Sequence, residues 1–345
     1  MLPTVVVLAF MTSAFVVPFF LFLVSMPPYL RYLVGKGKVD KDLHKTPPTD
    51  VPSPIGPLLF LAAAVGELVV YFEFGTLVPV ALIGAMAVAF GVGLADDLFV
   101  LGPKIKPILL ALSALPLIAA VMLQPDLYEP GLAFPLLGST SQHFAIYTTL
   151  IIVAFPVVAN AFNMVDAFNG EMSGFSTLVS IALVGAILLH AFAVPGFALA
   201  RLASAIPLVA ISVGFYLFNR FPSKAFDGDS GSLMLGTMFA GLAITGGVEI
   251  AAFVAIMPAV LNSFYILSSV RGFVERRKMG GRPTYIGEDQ MLHASDQRAA
   301  PATLVRMVLL GGPMNEQQVV RAVLLLTAFA CGLSVLTSLM TWVVA

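Results

Sequence analysis

One cysteine, four histidines and few charges are what this 345-residue chain has least of. The single Cys331 excludes an internal disulfide, and in its apolar run a packed thiol is the simplest role. His44, His143, His190 and His293 show no metal-ligand spacing. There is no G-x-S-x-G, no Walker-type glycine loop and no cysteine cluster. Asp, Glu, Lys and Arg make up 11% of the residues, against roughly a quarter in soluble domains. The formal net charge is -1 and no basic domain stands out, so a nucleic-acid partner has no support. No charge precedes Arg31, so the first apolar run lacks the basic n-region of a secretory signal and reads as a retained span. No fixed-period repeat, low-complexity tract or domain boundary is visible. Residues 1–345 read as one polytopic domain.

What is present is apolar: 59% of residues are hydrophobic and the mean hydropathy is +0.97. Runs of about 20 apolar residues can cross a hydrocarbon core of about 30 Å. A backbone without water must satisfy itself, so these runs should be helices. The expectation is an all-α integral membrane protein with about ten spans, near 4–30, 55–74, 77–95, 105–124, 146–165, 174–194, 199–219, 231–247, 249–272 and 318–343. With that threading every Lys and Arg except Arg201 falls on the side of Arg31. The positive-inside rule puts that side in the cytoplasm and both ends of the chain opposite. The inside loops are then about 31–54, 96–106, 166–173, 220–230 and 273–317. The outside loops, with Glu67, Glu73, Asp126, Glu129 and Glu249, read as connectors. Residues 301–316 have the pattern of an amphipathic helix lying on the inner membrane surface.

Four inside loops gather polar groups at span ends, where such groups are costly and functional by default. In GVGLADDLFVLGPKIKP, Asp96 and Asp97 are followed closely by Lys104 and Lys106. Adjacent carboxylates call for a cation between them, and lysines suit a phosphate; a solvated helix end is the other reading. In NAFNMVDAFNGEMSG, Asn160, Asn163, Asp166 and Asn169 recur every third residue, which on a helix makes one polar stripe that Gly170 terminates. Amides can read a base or ligate a hard cation, or bond between spans. In FNRFPSKAFDGDSGSLMLG, Asp227, Gly228 and Asp229 lead into a span. A helix start favours phosphate and a carboxylate there can hold Mg2+, while Asp229 as a plain N-cap stays open. Phe226 can stack on a base or pack. In RGFVERRKMGGRPTYIGED, Arg276, Arg277 and Lys278 face lipid headgroups or substrate. Arg282, between Gly281 and Pro283, is the better candidate for gripping a diphosphate.

Taken together, these loops resemble the polyprenyl-phosphate N-acetylhexosamine-1-phosphate transferase family, of glycosyltransferase 4 type, over nearly the whole chain and in order. Ala95-Asp96-Asp97 resembles its paired-Asp motif. Asn160 to Gly170 resembles its Asn-x-x-Asn-x-x-(Asp or Ala)-Gly-x-(Asp or Asn)-Gly motif, with Ala167 at a usual glycine. Asn219 to Asp229 is similar to its Asn-x-x-Pro-x-x-x-Phe-x-Gly-Asp motif, and DLHK…PSPIG to its first cytoplasmic loop. The His-rich stretch of bacterial branches is replaced by Arg and Gly. TLVRMVLLGGPMNEQQVVRAVLLL resembles the eukaryotic and archaeal branch, which makes dolichyl-diphosphate N-acetylglucosamine.

The resemblance implies a phosphoglycosyltransferase on the cytoplasmic face of the bilayer. It would move N-acetylglucosamine-1-phosphate from UDP-N-acetylglucosamine to dolichyl phosphate and release UMP, the first step of lipid-linked oligosaccharide assembly for N-glycosylation. It also implies roles. Asp229 and Asn163 would ligate Mg2+, with Mn2+ as a substitute, and Asn169 and Phe226 would hold uracil. Lys106 and Arg282 would contact the diphosphate, and Asn160 and Asp166 would line the substrate site. Asp96 and Asp97 would place or deprotonate the lipid phosphate. A phosphate monoester has a second pKa near 6, so Asp96 would mainly orient it. A homodimer stays open. The alternatives are the same chemistry with another UDP-hexosamine or undecaprenyl phosphate, a secondary transporter, and a CDP-alcohol phosphatidyltransferase. A transporter calls for acids at midplane in repeated halves, which are not seen; the phosphatidyltransferase calls for acids spaced by four after Asp-Gly.

Overall fold

A computed structural model describes residues 4–43, 45, 47–99, 101–127, 130–141, 143–194, 198–272 and 280–342. Its helices are α1 (Thr4–Gly35), α2 (Gly56–Phe74), α3 (Val78–Phe99), α4 (Ile105–Ala111), α5 (Leu115–Leu123), α6 (Phe144–Val165), α7 (Glu171–Ala193), α8 (Leu199–Asn219), α9 (Gly228–Thr245), α10 (Glu249–Ala255), α11 (Met257–Ser269), α12 (Leu304–Leu309) and α13 (Glu316–Trp342). Three antiparallel hairpins punctuate them: β1 (Val39–Asp42) with β2 (Thr49–Pro52), β3 (Gly131–Phe134) with β4 (Gly138–Ser141), and β5 (Thr284–Ile286) with β6 (Leu292–Ala294).

Among the described residues, eight helical segments are long and apolar enough to cross a membrane, α4 and α5 counting as one through a 3-10 turn at Leu112–Ala114. A ninth is α10 with α11, bent by 67° at Ile256, just ahead of Pro258, which has no N–H for the helical ladder. The expected tenth, 231–247, exists as α9 but is not a lipid-facing span. Every residue from Ser230 to Thr245 is buried. It is the axis of the molecule, wrapped chiefly by α3 and α6, with α2 and α8 adding to the sheath. A helix enclosed by protein does not need an apolar exterior, which is why its composition is more polar than that of its neighbours.

Close approach around α9 depends on small residues, as expected where helices pack without a hydrophobic drive between them. A Cβ on Gly93 of α3 would sit 2.5 Å from the carbonyl oxygen of Asp229 and 2.5 Å from Cα of Ser230. Glycine there lets α3 press directly on the first turn of α9.

Three further expectations are corrected. Glu67 is no connector: it lies inside α2, fully buried, with both carboxylate oxygens unpartnered among the described residues. The amphipathic helix over 301–316 shrinks to the six residues of α12, because Pro301 and Gly311-Gly312-Pro313 bound it. Its Val305 and Leu309 pack with Leu292, Val319 and Val323 of the protein rather than facing lipid. The polar stripe over Asn160–Asn169 is broken, because α6 ends at Val165 and Asp166 leaves helical geometry at ψ 81°. Phe168 then plugs into the cluster formed with Val319 and Val320 of α13, and Asn169 bonds to Asp42 and Glu316 while Asn163 bonds to Asp229.

Candidate active site

The C-terminal ends of α3 and α6 and the N-terminal ends of α4 and α9 meet at one end of the bundle, centred on Asp229. Its Oδ1 accepts from Asn163 Nδ2 at 2.8 Å, and its Oδ2 is ion-paired with Lys106 Nζ. The same ammonium reaches Asp96 Oδ2 at 3.1 Å. Asn163 Nδ2 also donates to Ser232 Oγ at 2.9 Å. One lysine thus stands between two carboxylates contributed by helices far apart in sequence.

Asp97 does something different from Asp96. Its Oδ1 accepts from the backbone N–H of Asp229 at 2.8 Å and its Oδ2 from that of Ser230 at 3.1 Å. These are orphan donors of the first turn of α9, so Asp97 caps α9 from a neighbouring helix. Gly228 makes the fit possible. It has φ +69°, and a Cβ there would lie 2.9 Å from Asp97 Oδ2 and 2.6 Å from Pro54 Cβ. Asp227, one residue earlier, is fully buried and neither of its oxygens has a partner among the described residues. Burial pushes its carboxyl well above the usual range, and the nearby Asp166 adds to this.

A second group of contacts sits beside the first. Phe226 N–H donates to Pro52 O at 3.0 Å, and Ile55 N–H to Phe226 O at 2.9 Å, so the Phe226 segment lies along the end of the β1–β2 hairpin. Asn169 Nδ2 donates to Asp42 Oδ2 at 2.8 Å, and Asn169 N–H to Glu316 Oε1 at 2.9 Å. Asn219 ties the neighbouring ends together. Its Oδ1 accepts from Gly170 N at 3.1 Å and Ser173 Oγ at 2.7 Å, while its Nδ2 donates to Ala225 O at 3.0 Å.

Of the residues picked out by sequence, Asp96, Asp97, Lys106, Asn163 and Asp229 form one connected cluster. Asp166 is half-buried at the C-terminal end of α6. Asn169 and Phe226 are both held on the β1–β2 hairpin. Asn160 turns back on its own helix, donating to Pro156 O at 2.8 Å, and joins neither group. Arg282 is exposed and makes no hydrogen bond among the described residues. His44, Arg276, Arg277 and Lys278 lie outside the described residues. Sequence reasoning missed Asp42, Ser232 and Glu316 as members of the site, and noted Asp227 only as part of the turn before Asp229. Asp42 and Glu316 are 127 and 147 residues from Asn169, so no local spacing could join them. The available signal was an acid opening an apolar helix, as Glu316 opens α13.

The atoms that meet Asp229 are nitrogens of Lys106 and Asn163, and the oxygens the cluster could offer a cation are carboxylate, amide and hydroxyl, with no imidazole or thiolate among them. Such a set suits a hard divalent cation. Among the described residues no three His, Cys, Asp or Glu side chains gather in metal-holding geometry.

Residues 79–247 match glycosyl transferase family 4. The matched stretch runs from α3 to just past α9 and so contains the whole Asp229 cluster, but not Asp42, Arg282 or Glu316. Over the longer chain, proteins of Saccharolobus solfataricus and Sulfolobus acidocaldarius are similar. Both are provisionally named UDP-N-acetylglucosamine–dolichyl-phosphate N-acetylglucosaminephosphotransferases. They are 24% and 25% identical, each over 88% of this chain and 89% of the relative. The phospho-N-acetylmuramoyl-pentapeptide-transferase of Halalkalibacterium halodurans is 27% identical over 79% of this chain and 83% of its own.

Proposed function

Because the chain belongs to glycosyl transferase family 4 and is a phosphoglycosyltransferase with multiple membrane-length helices, we propose that it transfers N-acetylglucosamine-1-phosphate from UDP-N-acetylglucosamine to dolichyl phosphate. The products are UMP and a diphospho-linked lipid, the opening step of lipid-linked oligosaccharide assembly. The observation that carries this reading is the meeting of Lys106, Asn163, Asp96 and Asp229 at one end of the bundle. The names of the archaeal relatives supply the choice of sugar and lipid.

In the reaction, an oxygen of the acceptor phosphate attacks the phosphorus that bears the sugar. The bond from that phosphorus to the UMP oxygen breaks, and UMP leaves with the electron pair. The acceptor is largely a dianion at neutral pH, so no strong base is required and positioning with charge neutralisation dominates. Asp229 and Asn163 would hold Mg2+. When bound, the ion neutralises charge on the diphosphate. Lys106 supplies a positive charge at the same place, and Asp96 orients it. Asp97 acts on the backbone, holding the turn that presents Asp229. Lipid tails stay in the bilayer while the phosphate reaches the helix ends, which accounts for polar chemistry on so apolar a chain. The concentration of Lys and Arg on this side supports a cytoplasmic site.

The test is UMP release by the purified protein with dolichyl phosphate and Mg2+, offering UDP-N-acetylglucosamine and other UDP-sugars in parallel. Lipid- and metal-dependent UMP from UDP-N-acetylglucosamine is expected. UMP formed only with undecaprenyl phosphate, or only from another UDP-hexosamine, would replace the acceptor or the donor. Folded protein that releases none would overturn the assignment.

A further inference from the structure

Glu67 lies well inside α2, about 17 Å along the helix axis from Gly56, and is fully buried. Neither of its carboxylate oxygens has a hydrogen-bond partner among the described residues, and no described Lys, Arg or His stands beside it as a countercharge. An ionisable group at such a depth calls for a function. Ser204 of α8 faces this carboxylate. Its hydroxyl is equally buried and makes no hydrogen bond among the described residues, whereas a helical serine commonly bonds back to its own helix.

Two prolines complete the surroundings. Pro18 and Pro207 sit inside α1 and α8. A proline has no N–H, so the carbonyls of Ala14 and Ala203 lose their helical donors, and each ring lies against the carbonyl that it deprives. Both rings converge on α2 beside Glu67. A Cβ on Gly66 would stand 3.0 Å from Pro18 Cγ and 2.7 Å from Pro207 Cβ. Ala14 and Ala203 are themselves buried against Val70, one turn further along α2. Helix carbonyls point toward the C-terminal end, here from the level of Val70 toward that of Gly66, and Glu67 lies between. Carbonyls freed inside a membrane protein need a new partner. Two carboxylate oxygens, one hydroxyl and two carbonyls therefore meet with a single hydrogen among them, that of Ser204. A proton on Glu67 would add only one more.

We infer that Glu67, Ser204 and the backbone carbonyls of Ala14 and Ala203 form a binding site for sodium at the junction of α1, α2 and α8. Carboxylate, hydroxyl and carbonyl oxygens are hard donors that suit hard cations. Carbonyls released where a membrane helix is interrupted are a recurring source of sodium ligands. Charge decides the valence: one carboxylate neutralises one positive charge, whereas a divalent ion would leave a net charge in apolar surroundings. The site shares no residue with the Asp229 cluster, so the inference stands apart from the proposed reaction.

The experiment measures radioactive sodium bound by the purified full chain in detergent, with Mg2+ present and choline holding the ionic strength constant. It also follows the thermal midpoint as sodium replaces choline. The wild type should bind about one sodium per chain, saturably, and its midpoint should rise with sodium. Glu67→Gln keeps the size and removes the charge, so bound sodium should fall at least about tenfold and the midpoint should stop responding. Ser204→Ala removes one oxygen and should weaken binding about tenfold, which keeps the test decisive if the Glu67 variant fails to fold. Asp229→Ala, far from the site, should change sodium affinity by less than about twofold. A wild type that binds no sodium overturns the inference and leaves Glu67 a neutral acid. Sodium retained by folded Glu67→Gln, unweakened in Ser204→Ala, or lost in Asp229→Ala overturns it too, because the ion then sits elsewhere.

Discussion

The two ends of the helix bundle use polar side chains in opposite ways. At the far end the contacts come in pairs. Ser13 donates to Glu73, Tyr147 donates to Glu249, His190 Nδ1 meets Gly246 O at 2.7 Å, and Arg201 reaches Asp126 O at 2.5 Å. Each is a contact between two segments, although Glu73 keeps one carboxylate oxygen without a partner among the described residues. At the near end the acids outnumber their partners. Asp96 and Asp229 share one lysine, Asp97 spends both oxygens on a backbone turn, and Asp227 has no partner among the described residues. Crowded carboxylates in a poorly solvated place are costly. The crowding of acids around one lysine sets this end apart from the other.

Substitutions at the two ends should therefore separate activity from stability. The largest effect belongs to Asp229→Ala. Turnover should fall by at least about a thousandfold, with the thermal midpoint changed little. Activity near the wild-type value would remove Asp229 from the centre of the site. Gly93→Ala should come next. Its new methyl meets the backbone of Asp229 and Ser230, so either α3 or the turn must move. Overpacking of this kind costs about 1–3 kcal/mol, and misplacement by about an ångström costs about a hundredfold in rate. A drop in stability without a drop in UMP release would show that the turn is not what positions Asp229.

Asp227→Asn sharpens the same end by pH. The raised carboxyl of Asp227 is protonated in the folded chain at pH values where the unfolded chain has released the proton. Between the ordinary carboxylate value near 4 and the raised one, the folded state holds more protons. Stability then falls as pH rises through that window. The asparagine variant lacks this term, so its thermal midpoint should gain on the wild type as pH is raised from about 4 toward 8. Parallel curves would mean that Asp227 is charged when folded. The smallest effect is expected from Tyr147→Phe at the paired end. Losing the hydrogen bond to Glu249 should cost about 1–3 kcal/mol and leave turnover within about twofold. A large loss of turnover would collapse the distinction between the two ends.

The sequence made the contrast partly legible. Apolar runs gave the spans because the bilayer imposes length and composition on each one separately. Asp96, Asp97, Lys106, Asn163 and Asp229 could be singled out because they sit in short loops or at helix ends, where an ionisable group is conspicuous. α9 was harder to read, because the same length of apolar sequence serves for a helix in lipid and for one sheathed in protein. The stripe over Asn160–Asn169 failed at Asp166, where burial of Phe168 against α13 outweighed helical continuation. Asp42 and Glu316 were invisible for a plain reason: their link to Asn169 exists only after three distant segments have packed.

That link has a consequence for biosynthesis. The Asp229 cluster is built from α3, α4, α6 and α9, all translated before α13. Asn169 receives its Glu316 contact only when α13 has been inserted. A chain still being made can therefore assemble the Asp229 cluster before the contacts around Asn169 are complete. The order of synthesis thus separates the two groups of contacts in time, the Asp229 cluster first and the Asn169 frame second.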